Sequence, residues 1–375
     1  MRSLAVLTTT AAIALIGVAS AQNAGAPGVS DQGAAPSAPA VGAGGNPVQS
    51  AVHAYVAFQN DIGDLRTQRV GNANELERVI DISARHNRDA FSRGWIAYGA
   101  MVAAQSPAFV RGVREAAAHY GRDAVIRGMS VDTGWARLLN GGDEATRLIL
   151  DSATADAARI TAVADRYREL AYSLQRQGWA NARAPGQEAR VQRVRGLGAG
   201  AAVVSPGDNP GRFYAMPLSF QPQTDPTAFG GRRFWDAIRG GAAPVDNAAN
   251  VSGTWRIKPE RGEAVNRMTT IAALQALGAD NNPTQIDALL NETRSRNCIE
   301  MAQLQLYQCM SAARFRYENA FCMGQHALRD MGTCISGIAQ PAPAPGQTPI
   351  PPGGQAAGNA GPTLAAAETR NAAQR

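Results

Sequence analysis

The sequence has few of the residues on which many enzymes and metal proteins depend. Its 375 positions include only four cysteines and four histidines, and 6% are aromatic. The motifs G-x-S-x-G and H-E-x-x-H of two large hydrolase classes are absent. The close cysteine pairs of structural zinc sites and the C-x-x-C motifs of redox and haem proteins are absent too. We therefore predict no catalytic residue, no cofactor and no metal site.

Long apolar runs are equally scarce, and the longest lies at the N-terminus. It extends from Leu4 to Val18 after Arg2, and Ala19-Ser20-Ala21 follows it. This run is too short to span a membrane, and the pattern is typical of a secretory signal peptide over residues 1–21. No later run reaches the roughly 18 apolar residues of a spanning helix. We expect an exported protein without a transmembrane segment, periplasmic or secreted.

Lysine is the scarcest charged residue. Lys258 is the only lysine among 36 basic residues, and alanine is abundant, as in proteins of high-GC bacterial genomes. The formal net charge is +6. For an exported bacterial protein, this charge favours an anionic wall or lipid component or an envelope protein as partner, and not nucleic acid.

Composition divides the chain into segments. Residues 22–46 and 340–375 contain mainly Ala, Gly, Pro and other small or polar residues, and they cannot bury enough apolar surface to offset ordering. We interpret them as a flexible leader and a disordered tail. Between them we predict an all-α protein: a long-helix bundle over 47–178, an irregular Gly/Pro/Arg-rich segment over 179–260, and a C-terminal helical unit over 261–339.

The four cysteines all lie in that C-terminal unit, as Cys298, Cys309, Cys322 and Cys334. The first and last gaps are too long to close within one helix, because bonded cysteines need Cα atoms within roughly 7 Å. Eleven helical steps bring a side chain back to nearly the same face. Two antiparallel helices would therefore pair Cys309 with Cys322 and Cys298 with Cys334. The alternative is a metal site that uses Cys322 and His326.

The layout of this stapled hairpin resembles the helical hairpins with twin cysteine pairs found in the mitochondrial intermembrane space. The gaps between cysteines are longer here, so the resemblance covers the geometry alone.

Apolar periodicity and helix-breaking residues predict the individual elements. The predicted helices cover 74–105, 107–121, 123–139, 143–177 and 262–277, with a restart at Asn282-Pro283, and short strands are possible at 212–220 and 254–257.

The helix over 143–177 has the most regular pattern, with apolar residues alternately three and four apart. They are Leu150, Ala153, Ala157, Ile160, Ala164, Tyr167, Ala171 and Leu174. Such a seam is typical of close helix pairing. It predicts either packing against the helix over 74–105 or homo-oligomerisation through Leu150–Leu174. Asp156 with Arg159, and Asp165 with Arg168, suit a solvated face.

The segment over 179–260 contains the residues that we predict to bind a partner. Arginines and aromatic residues dominate interface energetics, and here they are Arg190, Arg193, Arg195, Phe213, Tyr214, Arg232, Arg233, Phe234 and Trp235. The alternative is a solvated loop. The glycines at 196, 198 and 200 do not predict a phosphate loop, because no helix is expected to open at the last of them.

These observations favour an exported, non-enzymatic helical protein that binds or scaffolds components of the bacterial envelope. The alternative is a periplasmic enzyme that acts on cell-wall material, with a site near 179–260. A deep pocket with inward-facing carboxylates would favour the enzyme.

Overall fold

The computed structural model describes residues 46–184, 186–200, 229–238 and 254–342. The predicted signal peptide, nearly all of the leader, the tail from residue 343, and Phe213 and Tyr214 with the possible strand over 212–220 lie outside these residues. The described chain is almost entirely helical, which confirms the all-α class.

The first part of the chain forms consecutive helices. They are α1 (Pro47–Thr67), α2 (Ala73–Ala84), α3 (Arg88–Ala103), α4 (Pro107–Tyr120), α5 (Arg122–Val131), a 3₁₀ turn (Trp135–Leu138) and α6 (Gly142–Leu174).

The second part contains further helices and a small sheet. The order is α7 (Gln187–Ala199), α8 (Gly231–Ile238), β1 (Trp255–Ile257), a 3₁₀ turn (Pro259–Arg261), α9 (Gly262–Ala276), α10 (Pro283–Leu290), α11 (Thr293–Ala312), α12 (Arg316–Cys322), a π-helical turn (Met323–Arg329), α13 (Asp330–Ser336) and β2 (Ala339–Pro341). We call the continuous helical stretch over 316–336 the return helix.

Two of the predicted helices are each divided in the structure. The helix predicted over 74–105 is α2 and α3, and the side chain of Asn87 caps α3 by accepting from the backbone N–H groups of Asp89 and Ala90. The helix predicted over 123–139 ends at Val131. There the Asp132 carboxylate accepts from the Gly134 N–H at 2.8 Å, and such a side-chain turn competes with helix continuation.

The long helix α6 is the central element of the described body. All eight residues of its predicted seam are buried, with at most 5% of their surface exposed. Helices α3 and α8 and the return helix pack on α6. A Cβ on Gly324 would lie 2.9 Å from the Ala164 carbonyl oxygen. The backbones of the return helix and α6 are therefore in direct contact at this point. The seam therefore packs within the chain.

The stapled hairpin has the predicted nested pairing. Cys309 bonds Cys322, and Cys298 bonds Cys334, with Cα–Cα distances of 5.6 and 5.7 Å. Beyond the hairpin, β2 pairs with β1 in an antiparallel ladder, and Arg256 lies opposite Gln340. The strand predicted near 254–257 is thus confirmed as one half of a two-stranded sheet.

The C-terminal helices do not form a separate body. Helix α9 packs against α3, where a Cβ on Gly99 would collide with the Met268 side chain. All described residues belong to one compact unit. Within them, no helix is both long enough and apolar enough to cross a membrane.

Candidate functional site

The segment predicted to be irregular contains α7, and two of its predicted partner-binding arginines pack on α2. The Nε atom of Arg190 donates to Glu77 Oε1 at 2.8 Å. Arg193 pairs with Glu77 and also with Asp81, at 3.1 Å from Asp81 Oδ1. Burial raises the pKa of Asp81, although the charge of Arg193 opposes this. These ion pairs fix α7 to the body.

The third arginine of α7 also makes an intramolecular contact. The guanidinium of Arg195 lies 5.3 Å from the centre of the Tyr307 ring on α11, a cation–π distance. The three arginines therefore contact the protein itself. Glycines 196 and 198 lie inside α7, with Gly200 as its C-cap, so a helix ends at these glycines.

Helix α8 contains the other predicted partner-binding residues within the described chain, and its two aromatic side chains are buried. Phe234 is 1% exposed and Trp235 is 0% exposed. Both side chains fill the core between α1, α3 and α6. They therefore do not lie on an exposed partner-binding surface, contrary to the expectation from the sequence. Arg232 and Arg66 both approach the carboxylate of Asp236, at 3.6 and 3.1 Å. The side chain of Arg233 lies outside the described set.

A fully buried carboxylate anchors α8. Asp156 of α6 accepts at Oδ1 from Gly231 N–H (2.7 Å) and Trp235 Nε1–H (2.6 Å). Its Oδ2 accepts from the Tyr55 hydroxyl at 2.8 Å. Both Gly230 and Gly231 have positive φ, and a Cβ on Gly230 would lie 2.5 Å from the Ser152 carbonyl oxygen. This close approach requires the glycines that begin α8.

The environment of Asp156 shifts its protonation equilibrium. Burial raises its pKa to about 6, against the lowering effect of hydrogen bonds from Tyr55, Gly231 and Trp235. Arg159, also buried, donates to the backbone oxygen of Gln59 at 2.9 Å. The prediction that Asp156 and Arg159 form a solvated pair is wrong, because this face of α6 is covered as well. Asp165 and Arg168 do pair, at 3.2 Å.

A carboxyl group with a pKa near 6 has the acidity that a general acid or base needs near neutral pH. Catalysis also needs space for a substrate beside the group. Both oxygens of Asp156 are occupied by protein donors, and the indole of Trp235 fills the adjoining volume. In this conformation the carboxyl group has a structural role, which is to hold α8 in place.

Two histidine–carboxylate pairs lie between the N-terminal helices and the return helix. His86 Nε2 is 2.8 Å from Asp61 Oδ2, and His326 Nδ1 is 2.7 Å from Asp330 Oδ2. Burial acts to raise the pKa of Asp61, but hydrogen bonds from His86 and Arg85 outweigh it and lower the pKa.

Both histidines line a cavity of about 20 Å³, which is room for one water molecule. Cys322, the other residue of the alternative metal site, is bonded to Cys309. Among the described residues, no group of three or more His, Cys, Asp or Glu side chains could hold a metal ion.

An open apolar concavity lies beside the inner disulfide. We call it the aromatic groove and define it by Tyr172 of α6, Gln175 at the C-cap of α6, Tyr317 and Phe321 of α12, and the Cys309–Cys322 bond. Its volume is about 380 Å³. The rings of Tyr172 and Phe321 meet edge to face at 6.4 Å, and Tyr172 is 60% exposed. The groove therefore presents aromatic surface to the solvent.

Sequence reasoning missed both Asp156 and the aromatic groove. The signal for Asp156 is a second stripe on α6, formed by buried residues three and four apart: Ala145, Ile149, Ser152, Asp156, Arg159 and Val163. When a helix is buried on two faces, a search for one apolar seam does not reveal the polar residues that are buried on the other face. The groove has no comparable signal, because α6 and α12 meet only through the tertiary fold.

Comparison with protein-family models, with curated proteins and with solved structures finds no match to this chain.

Proposed function

We propose that this protein is an exported, non-enzymatic component of the bacterial envelope that binds a partner protein through the aromatic groove. The supporting observation is the exposed aromatic surface of the groove. It combines the rings of Tyr172, Tyr317 and Phe321 with a neighbouring disulfide that fixes α12 on α11. Exposed aromatic side chains on a rigid scaffold are the residue type that most often dominates binding energy.

The proposed surface differs from the one suggested by the sequence. Arg190 and Arg193 pair with α2, and Phe234 and Trp235 are buried. The groove, in contrast, exposes aromatic rings to the solvent, so we propose it as the binding surface in place of the Arg-rich segment.

The two disulfides support the cellular location. Disulfides persist in oxidising compartments and are rare in the cytosol, so this is a protein of a non-cytoplasmic environment. We place it in the periplasm because the signal-peptide pattern over residues 1–21 and the arginine-rich composition favour a bacterial exported protein.

The alternative function, a cell-wall enzyme with its site near 179–260, draws on one observation. Asp156 contacts α8 of that segment and has a pKa of about 6. The enclosure of its carboxyl group by Trp235 and Tyr55 weighs against this alternative. Hydrolysis of purified wall glycan by the full chain, lost in Asp156→Asn, would support the enzyme instead.

The proposal is tested by chemical crosslinking in intact cells, followed by purification of the tagged full chain. Tyr172→Asp places a charge in the groove at an exposed position, and Tyr120→Asp is the matched control on α4, where Tyr120 is 63% exposed. We expect the wild type and the control to recover the same envelope protein and Tyr172→Asp to lose it. Equal recovery by both variants would exclude the groove as the binding surface.

A further inference from the structure

We propose that the aromatic groove binds an extended, acidic segment of the partner protein, in which an apolar side chain lies between two carboxylates. This inference rests on the proposed function and names the chemistry of the partner. The supporting observation is the arrangement of charge around the groove. Arg168, Tyr172 and Arg176 follow one another at intervals of four residues along α6 and the turn at its C-terminus. The exposed ring therefore lies between two arginines on one face.

Arg168 lies at the end of the groove that Phe321 forms. Its guanidinium is 5.8 Å from the centre of the Phe321 ring. The carboxylate of Asp165 lies 3.2 Å from Arg168 Nη1, but it also lies 2.9 Å from Arg329 Nη1. One carboxylate does not balance the charge of two guanidinium groups, and each guanidinium has five N–H donors. Arg168, with 30% of its side chain exposed, can therefore bind a second carboxylate here.

Arg176 lies at the opposite end of the groove, next to Gln175. Arg314 follows the lining residue Ala313, and both arginines are exposed. Neither of them forms an ion pair within the described part of the chain. Exposed arginines without a carboxylate partner attract an anionic ligand and steer its approach. The positive charge at this end is therefore available to a partner.

The carboxylates near the groove do not cancel this charge. Glu318 lines the groove, but its Oε2 atom already accepts hydrogen bonds from two backbone N–H groups at the start of α12. Arginines outnumber carboxylates within four residues of the lining positions, where the charged residues are Arg168, Arg176, Arg314, Arg316, Glu169 and Glu318. An aromatic surface with an excess of positive charge is complementary to an acidic peptide that carries an apolar side chain.

The spacing of the two arginines on either side of Tyr172 favours an extended ligand. Positions four apart on an α-helix are separated by a rise of about 6 Å. Alternate residues of an extended chain point to the same side and lie about 6.6 Å apart. An extended peptide along α6 can therefore place one acidic side chain against Arg168, an apolar one against Tyr172 and a second acidic one against Arg176. The pattern acidic-x-apolar-x-acidic fits in either chain direction.

The test uses the fluorescein-labelled peptide Gly-Glu-Ser-Phe-Ser-Glu-Gly as the probe, titrated with the purified full chain and followed by fluorescence polarisation at low salt. We expect saturable binding that weakens about tenfold when Gln replaces both Glu residues, because two exposed ion pairs are lost. Replacing the Phe of the probe by Ala should weaken binding at least as much. Added salt should weaken binding of the Glu peptide more than that of the Gln peptide.

A charge reversal in the protein provides the second arm of the test. Arg176→Glu reverses the charge at one end of the groove. Arg127→Glu is the matched control on α5, because Arg127 is also exposed and the net charge changes equally. We expect Arg176→Glu to weaken binding of the Glu peptide about tenfold and Arg127→Glu to bind it as the wild type does. A peptide with Lys in place of one Glu should recover the affinity of Arg176→Glu.

The proposal is overturned by the absence of saturable binding, by equal affinity for the Glu and Gln peptides, or by equal loss in the two variants. Binding of purified wall glycan that Tyr172→Asp removes would assign the groove to a saccharide. Self-association of the full chain that Tyr172→Asp removes would assign it to a second copy. Either result would overturn the proposal as well.

Failure of the proposed function has a separate signature. If partner recovery from cells depends on Tyr172 but is the same for Arg176→Glu and Arg127→Glu, the groove binds a protein of another chemistry and this inference alone fails. If recovery does not depend on Tyr172, the proposed function itself fails.

Discussion

At the scale of single residues, Asp156 makes stability depend on pH. Its pKa is about 6 in the folded protein because it is buried, against an ordinary value of 3.8. The folded state therefore holds a proton that the unfolded chain releases between about pH 4 and pH 6. The contribution of this proton to the free energy of unfolding is fully present below about pH 4 and is lost as the pH rises through 6. A shift of about two units corresponds to roughly 3 kcal/mol.

The substitution Asp156→Asn tests this linkage. The amide oxygen of the variant can accept from Gly231 and Trp235 in place of Oδ1, and the group does not ionise. We expect the free energy of unfolding of the wild type, relative to the variant, to fall by about 2–3 kcal/mol between pH 4 and pH 8. Urea unfolding at several pH values measures this difference. The control is Asp123→Asn, at a side chain 80% exposed, which should show no such change. A difference between the wild type and Asp156→Asn that stays constant with pH would contradict the shifted pKa.

The sequence alone indicates several of the helix N-cap residues, but it does not indicate that Asp156 is buried and holds α8. Asn72, Ser106 and Asn282 each precede a helix and cap it with their side-chain oxygens, as local patterns predict. Asn87 was missed because apolar residues continue with helical spacing on both sides of it. Asp156 contacts Tyr55 and Trp235 across long stretches of chain, and no local pattern specifies such a contact.

At the scale of elements, α8 belongs to the core and is not a dispensable loop. Trp235 packs its ring 5.9 Å from Tyr55 and 5.4 Å from Tyr98 and donates to Asp156. Replacing it by Ala removes this packing and leaves a cavity, which costs about 3–5 kcal/mol for a buried Trp. We expect Trp235→Ala to lower the free energy of unfolding by that amount in denaturant titrations.

An exposed aromatic residue provides the control for this prediction. Tyr120→Ala, at a side chain 63% exposed, should change stability by less than about 0.5 kcal/mol. A Trp235→Ala variant as stable as the wild type would mean that α8 is not docked in solution. The same reasoning predicts that deletion of residues 196–241 destabilises the body, because it removes both Trp235 and Phe234.

The stapled hairpin is the element that the sequence predicted most completely. Because the helix has a known rise and rotation per residue, the spacing of its cysteines predicts which of them lie close enough to bond. The two bonds close loops of different length, with separations of 36 and 13 residues. On the loop-entropy estimate, which is model-dependent, either bond alone would contribute about 4 and about 3 kcal/mol respectively, and the outer bond contributes less once the inner bond exists.

Paired serine substitutions test the order of these contributions. Because the inner bond shortens the loop that the outer bond closes, we expect the variant that lacks Cys298 and Cys334 to lose only about 0.5 kcal/mol more stability than the one that lacks Cys309 and Cys322. Each variant exchanges one buried and one half-buried cysteine for serine, so the side-chain costs are similar. Chemical unfolding of both variants under the same conditions gives the comparison. A larger loss for the inner pair would show that local packing outweighs loop entropy.

At the scale of the whole molecule, the sequence suggested separate helical units, and the structure joins them. The C-terminal helices pack on α3 and α6, which belong to the first part of the chain. This could not be predicted, because apolar stripes show that a helix has a buried face without specifying its partner. The seam of α6 illustrates the point, since its expected partner over 74–105 supplies only α3, and the return helix and α8 cover much of the rest.

Because the C-terminal helices pack on α3 and α6, we expect the described body to unfold cooperatively. Loss of the outer disulfide, by Cys298→Ser with Cys334→Ser, should lower the melting temperature by on the order of 10 °C. All five tryptophans, including the buried Trp95 and Trp235, precede the C-terminal helices in the chain, so tryptophan fluorescence reports mainly on the body outside those helices. Thermal melts followed by this fluorescence and by far-ultraviolet circular dichroism should shift together, because α9 and the return helix unfold with α3 and α6. A variant whose helical signal falls in two steps, with the fluorescence transition unchanged from the wild type, would mean that the C-terminal helices unfold as an independent unit.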